Sequence, residues 1–471
     1  MKSVYKRIVG LIYLFIFMSE VIPLQAQTYY ISSSSGDNRN DGLTEQTPKK
    51  DLTDIPKKNV TILFCKGDVF WGGLSGYTDC TISSYGRGER PVLCGFKVLI
   101  NPNAWKEEGN GLWSLDLRNK DDFRGYVLQS EDETFNNIGY IYDAKNDKLY
   151  GRNVMRLDSL KHEMDFFTSS YFSKTDIKEH PFGKVIVKSD DNPARYGRLC
   201  FPMYERGGNL MTNCEINGLA IVGFSMMGLV RLKGCTVDDC QIDLIGGGIF
   251  VGYNSWCRYG NGIELWYQYN DNTIKNCIIS RTYDCATTIQ ASGEIKTNPK
   301  NNHFVGNRFY KCRQAFEHFL NPSDGSLKQY ENCDFTNNIC YLMGENGFNS
   351  PEMRDCNILS YENKSKPILI NNNIFFGANH LDGSGIDEGM DGNIVYLYQD
   401  QYLYTKHWLK EKATILGDSK ASIAQYRNLV PDKSKVVILK RGSWKAKRIE
   451  RNIKRKIDWK PVNLHLERLC Q

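Results

Sequence analysis

The chain has 471 residues, 41% of them apolar, 12% aromatic and 24% charged, which suffices for a large core and excludes disorder over most of its length. The formal net charge of +6 is unevenly placed: residues 433–460 hold twelve Lys/Arg against two acids, residues 1–26 contribute +2, and the rest carries −6. A mildly acidic body with a basic tail is not the pattern of a nucleic-acid binder, so no nucleic-acid partner is expected.

At the start, Lys2, Lys6 and Arg7 precede an apolar run from Ile8 to Met18, and Pro23 and Ala26 follow. A basic start, a short apolar middle and a small-residue site describe a signal peptide over 1–26. The run is shorter than the ~20 residues a membrane span needs. The mature chain is therefore expected to be secreted, periplasmic or at the cell surface, without a span and as a monomer. Residues 27–100 read as short strands separated by Gly/Asp/Asn turns, such as Val60–Phe70 and Thr81–Gly86. Residues 101–205 interrupt that pattern with Trp105, Trp113 and charged strands such as Gly183–Lys188, and are expected to form an inserted β-rich subdomain.

From residue 206 to about 400 a six-residue frame recurs: apolar, any, Asn/Asp, Cys, any, Ile/Phe. The copies begin at Met211, Val237, Ile274, Phe304, Tyr330 and Met353, with a weaker seventh at Ile370, at offsets of 26, 37, 30, 26, 23 and 17 residues. Five of the first six place Cys fourth: Cys214, Cys240, Cys277, Cys333 and Cys356. A repeat of variable length predicts stacked coils with looped insertions, each coil giving a short parallel strand ~4.8 Å from the next. Asn/Asp is expected to hold the turn through backbone hydrogen bonds, and Cys to fill an inward corner as a small apolar residue. Thiols stacked at that spacing do not meet the ~3.8 Å Cβ separation of a disulfide, so one ladder of reduced thiols is expected. Residues 401–471 form a C-terminal extension. There Ile449, Ile453 and Ile457 fall four apart among basic residues, predicting a short basic helix. Its cations suit anionic glycan or lipid headgroups.

Several segments resemble a known group. "YYISSSSGDNRNDGLTEQTP" (29–48), "LFCKGDVF" (63–70) and "ISSYGRGERPVL" (82–93) look like the first coils of secreted right-handed parallel β-helix proteins of the pectate-lyase-like superfamily. "RYGNGIELW" (258–266) and "RTYDCATTIQ" (281–290) are similar to central coils of that group. The resemblance implies an all-β, right-handed parallel β-helix and a carbohydrate-active protein. That superfamily hosts lyases, hydrolases, epimerases and adhesins, so it leaves the reaction open.

Aligning three coils on a small residue sets Gly262–Trp266 beside Ala286–Gln290 and Ala315–Phe319. Glu264, Thr288 and Glu317 then share one outward column, and Trp266, Gln290 and Phe319 the next. Thr287 and His318 fall inward. Two strand spacings separate Glu264 from Glu317 by ~9.6 Å at the backbone, near the ~6.5–9.5 Å of carboxyls in inverting glycosidases. Asp284 is a third candidate carboxylate and His318 a candidate proton carrier. Trp266 and Tyr267 suit stacking on a sugar face, and Gln290 and Phe319 extend that wall. A lyase would instead use Arg258, Tyr259 and Arg281 to hold a uronate and remove its proton; Arg281 otherwise suits an ion pair with Asp284. The readings are therefore a polysaccharide-acting glycoside hydrolase, a polysaccharide lyase, or a non-catalytic glycan-binding or adhesive coil stack. No cofactor is expected. Ca²⁺ is a secondary option at Asp382, Asp387, Glu388 and Asp391.

Overall fold

The computed structural model describes residues 26–125, 138–154, 156–168, 184–249, 258–348, 356–360, 368–377, 390–399, 402–403, 414–415 and 434–465. Residues 1–25 of the expected signal peptide (1–26) and the acidic positions Asp382, Asp387 and Glu388 lie outside them; Asp391 closes the Met390–Asp391 strand. The described residues are mostly β, with large parallel sheets and one α-helix at the C-terminal end.

Three parallel sheets carry the body. Sheet I has ten strands, from Gln27–Ile31 to Met390–Asp391. Sheet II has ten, from Val69–Trp71 to Lys435–Leu439, and sheet III seven, from Leu74–Ser75 to Cys356–Ser360. The chain visits them in a fixed order. Arg206–Thr212 lies in sheet III, Glu215–Asn217 in sheet I, Ala220–Phe224 in sheet II and Met227–Lys233 in sheet III again.

The register explains the core. In sheet I, Ile62, Ile82, Ile216, Val237, Ile274, Phe304, Phe335 and Ile370 are successive in-register partners, and every one is buried. Alternation along each short strand puts this apolar column on one face. It joins columns from the other two sheets in a single cluster.

The hexapeptide repeat proves to be two corners rather than one stack. Cys214 and Cys333 precede strands of sheet I, whereas Cys240 and Cys277 precede strands of sheet II. The copies at Met211 and Tyr330 therefore lie at one corner and those at Val237, Ile274, Phe304 and Ile370 at the other, so the offsets do not follow one repeat length. Read through the strand register, the sheet III-to-I corner runs Cys80, Cys214, Cys235, Asn272, Asn302, Cys333. The sheet I-to-II corner runs Cys240, Cys277, Asn307, Asn338, Asn373, Asn393. Cys356 belongs to neither, since it opens a strand within sheet III. Twelve cysteines, among them Cys214, Cys240, Cys277 and Cys333, are unbridged.

Where Cys gives way to Asn, side-chain amides take over. Asn338 Nδ2 donates to Phe304 O at 2.9 Å and to Asn373 Oδ1 at 3.1 Å, while its own Oδ1 accepts from the Asn307 backbone N–H at 2.8 Å. Buried backbone groups at the corner are thereby satisfied. The preceding Asn/Asp has a different role from the expected backbone bonding: Asn213, Asp239, Asn276, Asn332 and Asn372 all have φ between 48° and 57°. That left-handed region is open to Asn, Asp and Gly and closed to most residues. Gly306 takes the same place with φ 67°, so the one copy lacking Asn/Asp there keeps the turn.

Between Val92–Cys94 of sheet II and Arg206–Thr212 of sheet III the chain leaves the parallel body. Residues Phe96–Leu99 to Leu199–Pro202 build a five-stranded and a four-stranded sheet, both antiparallel throughout, around a second core. At the other end, Ser443 caps the Trp444–Ile457 helix by accepting from the Ala446 N–H at 3.2 Å, and Asp458 ends it in the left-handed conformation. Ala446, Ile453 and Ile457 bury against Tyr341, Phe376 and Tyr398 of sheet II. No helix among the described residues is long and apolar enough to cross a membrane.

Candidate active site

Three neighbouring strands of sheet III, Ile263–Trp266, Cys285–Gly293 and Gln314–Pro322, carry most of the candidate residues. A column of small residues, Gly262, Ala286 and Ala315, lies at the start of these strands, where the chain turns tightly into the sheet. A Cβ on Gly262 would lie 2.5 Å from Ala286 O. The register is continuous from Cys285↔Gln314 to Gly293↔Pro322. Glu264 pairs with Thr288 and Thr288 with Glu317; Trp266 pairs with Gln290 and Gln290 with Phe319.

Glu264 is buried and fully engaged. Trp266 Nε1 donates to Oε1 at 2.6 Å; Tyr259 OH at 2.6 Å and Asn261 Nδ2 at 2.7 Å donate to Oε2. Gln290 Nε2 in turn donates to Tyr259 OH at 2.6 Å. Burial pushes the Glu264 carboxyl above its ordinary value, against the pull of these three donors. Burial first, and then the Glu264 carboxylate, push the Tyr259 phenol well above its usual range, so it remains a donor.

Glu317 keeps a partly exposed edge and has no such donor set. Burial, and next the Asp284 charge, push its carboxyl up to about 8. Asp284 faces the Arg313 guanidinium at 3.4 Å. One sulfur joins the two acids: Cys285 Sγ lies 3.2 Å from Glu317 Oε2 and 3.9 Å from Asp284 Oδ1, so those oxygens are no more than about 7 Å apart. The same sulfur meets Gln314 Oε1 at 2.6 Å, and Cys285 N donates to Asn261 Oδ1 at 3.1 Å. Between Glu264 and Glu317, the buried Thr288 hydroxyl has no hydrogen-bond partner among the described residues.

The structure thus brings Glu264, Asp284, Glu317, Tyr259, Trp266, Gln290 and Phe319 to one wall. Tyr267 packs at the edge of the core beside Trp266. Three candidates go elsewhere. His318 follows the inward column of Leu265 and Ile289. Its ring stacks on Phe316 and meets the edge of Tyr330, and burial lowers it to about 4. It is a core histidine, neutral at pH 7, and not a proton carrier beside Glu317. Arg281 does not pair with Asp284; it pairs with Asp243 of sheet II and Asp147 of the antiparallel insert, under the Trp459 ring. Arg258 donates to the backbone oxygen of Asn153 in the antiparallel region.

Asn261, Cys285 and Gln314 were outside the sequence-derived set. They form the column one residue before Gly262, Ala286 and Ala315. The signal lay in that preceding column, which an alignment begun on the small residue cuts off. Among the described residues no group of three or more His, Cys, Asp or Glu side chains is gathered as a metal-ligand set.

Comparison with known proteins adds little. No family model matches the chain, and no curated protein matches it. Solved structures with some likeness include a complex of XylC with xylose: 10% identity, 87% of this chain and 82% of that one covered, TM-score 0.40. A GH136 lacto-N-biosidase from Eubacterium ramulus has 12% identity, coverage of 93% and 72%, and TM-score 0.34. A protein described as a glycoside hydrolase has 11% identity, coverage of 92% and 98%, and TM-score 0.33. Likeness at these TM-scores carries no argument about this chain.

Proposed function

We propose that the chain is an exported polysaccharide hydrolase, built on a right-handed parallel β-helix whose three walls are sheets I, II and III. The cyclic order of the sheets and the single core between them support that architecture. Export rests on the basic-then-apolar start of the sequence. A mature N-terminus at Gln27, found by mass spectrometry of the exported protein, is the expected result.

The observation that carries the activity is the pairing of Glu317 with Asp284 across one thiol. Glu317, held up to about 8, is protonated at neutral pH and donates to the glycosidic oxygen as the bond breaks. Asp284, the carboxylate opposite, attacks the sugar carbon or deprotonates the attacking water; the upper bound on the separation admits both the ~5–5.5 Å and the ~6.5–9.5 Å arrangements. Glu264 anchors Tyr259 and Trp266, so it positions the sugar-facing wall rather than moving a proton. Trp266 and Phe319 offer ring faces for stacking.

A lyase reading loses its cations, because Arg258 and Arg281 are both committed elsewhere. Incubation with a panel of neutral and acidic polysaccharides tests the proposal. New reducing ends without a rise in ultraviolet absorbance are expected. An unsaturated, absorbing product would establish the lyase, and binding without any product would establish a glycan-binding coil stack.

A further inference from the structure

The C-terminal helix carries a second feature, independent of the acid pair. Its buried side is Ala446, Ile453 and Ile457. At 3.6 residues per turn, Trp444, Arg448, Arg451 and Arg455 fall on the opposite side and Lys447 and Lys454 on its flank, and all six are exposed. Trp444 is 74% exposed, and the Arg448 guanidinium lies over its ring at 5.4 Å. The helix holds one acid, Glu450, which accepts from Tyr398 OH beside the buried side. Lys447, Arg448, Arg451 and Arg455 form no ion pair among the described residues. The result is a line of cations about 12 Å long with an exposed aromatic ring at one end.

We propose that this ridge binds an anionic polysaccharide, one bearing uronate or sulfate groups. Arginine forks suit carboxylate and sulfate oxygens, and neighbouring cations ~5–6 Å apart along one helix face match a chain of regularly spaced anions. The exposed Trp444 ring suits stacking on a sugar. A lipid surface fits less well. Membrane-surface helices sink an apolar face into the headgroup boundary, and here that face is already occupied by sheet II. The ridge lies on sheet II and the acid pair on sheet III, so it holds polymer away from the reacting bond.

The test is affinity electrophoresis of the full chain in gels containing polygalacturonate, dextran sulfate or neutral dextran, with phosphatidylserine vesicles and duplex DNA as further arms. Retardation by at least one anionic glycan and not by neutral dextran is expected, weakening with added salt. The K447Q/R451Q/R455Q variant alters only exposed side chains and should lose at least about tenfold in apparent affinity; Trp444→Ala should lose a smaller part. Unchanged retardation of the triple variant would overturn the proposal. So would retardation by vesicles or DNA but by neither anionic glycan, or the absence of retardation by both.

Discussion

The Cys285 sulfur sits 3.2 Å from Glu317 Oε2, although the backbone partner of Cys285 is Gln314, three residues earlier. A thiol in that place favours the ionised form of Glu317 and holds the carboxyl below where burial alone would put it. Removing the donor should raise the Glu317 value further. Cys285→Ala is therefore expected to keep turnover within about tenfold of wild type and to move the alkaline limb of the pH–rate profile upward. A limb that moves downward would show that the thiol opposes ionisation.

Glu264 accepts three hydrogen bonds from three side chains. In Glu264→Gln one carboxylate oxygen becomes an amide NH2, and a donor is left facing a donor in a buried site. We expect a loss of about 1–3 kcal/mol, read as a lower midpoint of urea unfolding. Turnover should fall less than in Glu317→Gln. The opposite ranking would make Glu264 the proton donor.

These predictions also mark how far the sequence could be read. The outward column Glu264–Thr288–Glu317 was legible because strand alternation has a strict period of two. One small residue per coil, Gly262, Ala286 and Ala315, was enough to set the register. The corners were not legible. Cys, Asn and Gly share the same places, and two geometrically equivalent corners write nearly the same hexapeptide, so one ladder was expected where two exist. The partners of Arg281 were hidden for another reason: Asp243 and Asp147 lie 38 and 134 residues away in sequence, and only the stacking of coils and the antiparallel insert brings them together.

The inward placement of His318 gives a stability prediction. Burial lowers the ring from 6.5 to about 4, so its contribution is full above pH 6.5 and is lost as pH falls toward 4. His318→Leu should flatten the fall in stability between pH 6.5 and 4 and leave turnover within about threefold. A large loss of turnover with an unchanged fold would return His318 to the catalytic set.

Glu317 has the opposite sense. Its folded value is raised from 4.5 to about 8, so the stability it contributes is full below about pH 4.5 and is lost as pH rises through 8. Glu317→Gln should lose less stability than wild type between pH 5 and 8, measured by urea midpoints. Equal slopes would mean that Glu317 titrates normally in the folded protein.

The corner amides make a separate claim about the fold. Asn338→Ala removes an acceptor for the Asn307 N–H and donors to Phe304 O and Asn373 Oδ1. Leaving these buried groups unpaired should cost about 1–3 kcal/mol. A change within error in the unfolding midpoint would show that the amide ladder does not hold the stack.

The most direct measurement compares wild type with Glu317→Gln and Asp284→Asn on whichever glycan yields reducing ends. Each variant should release reducing ends about 10²–10⁴-fold more slowly, and the wild-type rate should decline as pH rises through about 8, where Glu317 loses its proton. Wild-type rates in both variants, with the same pH profile, would contradict the paired-acid account.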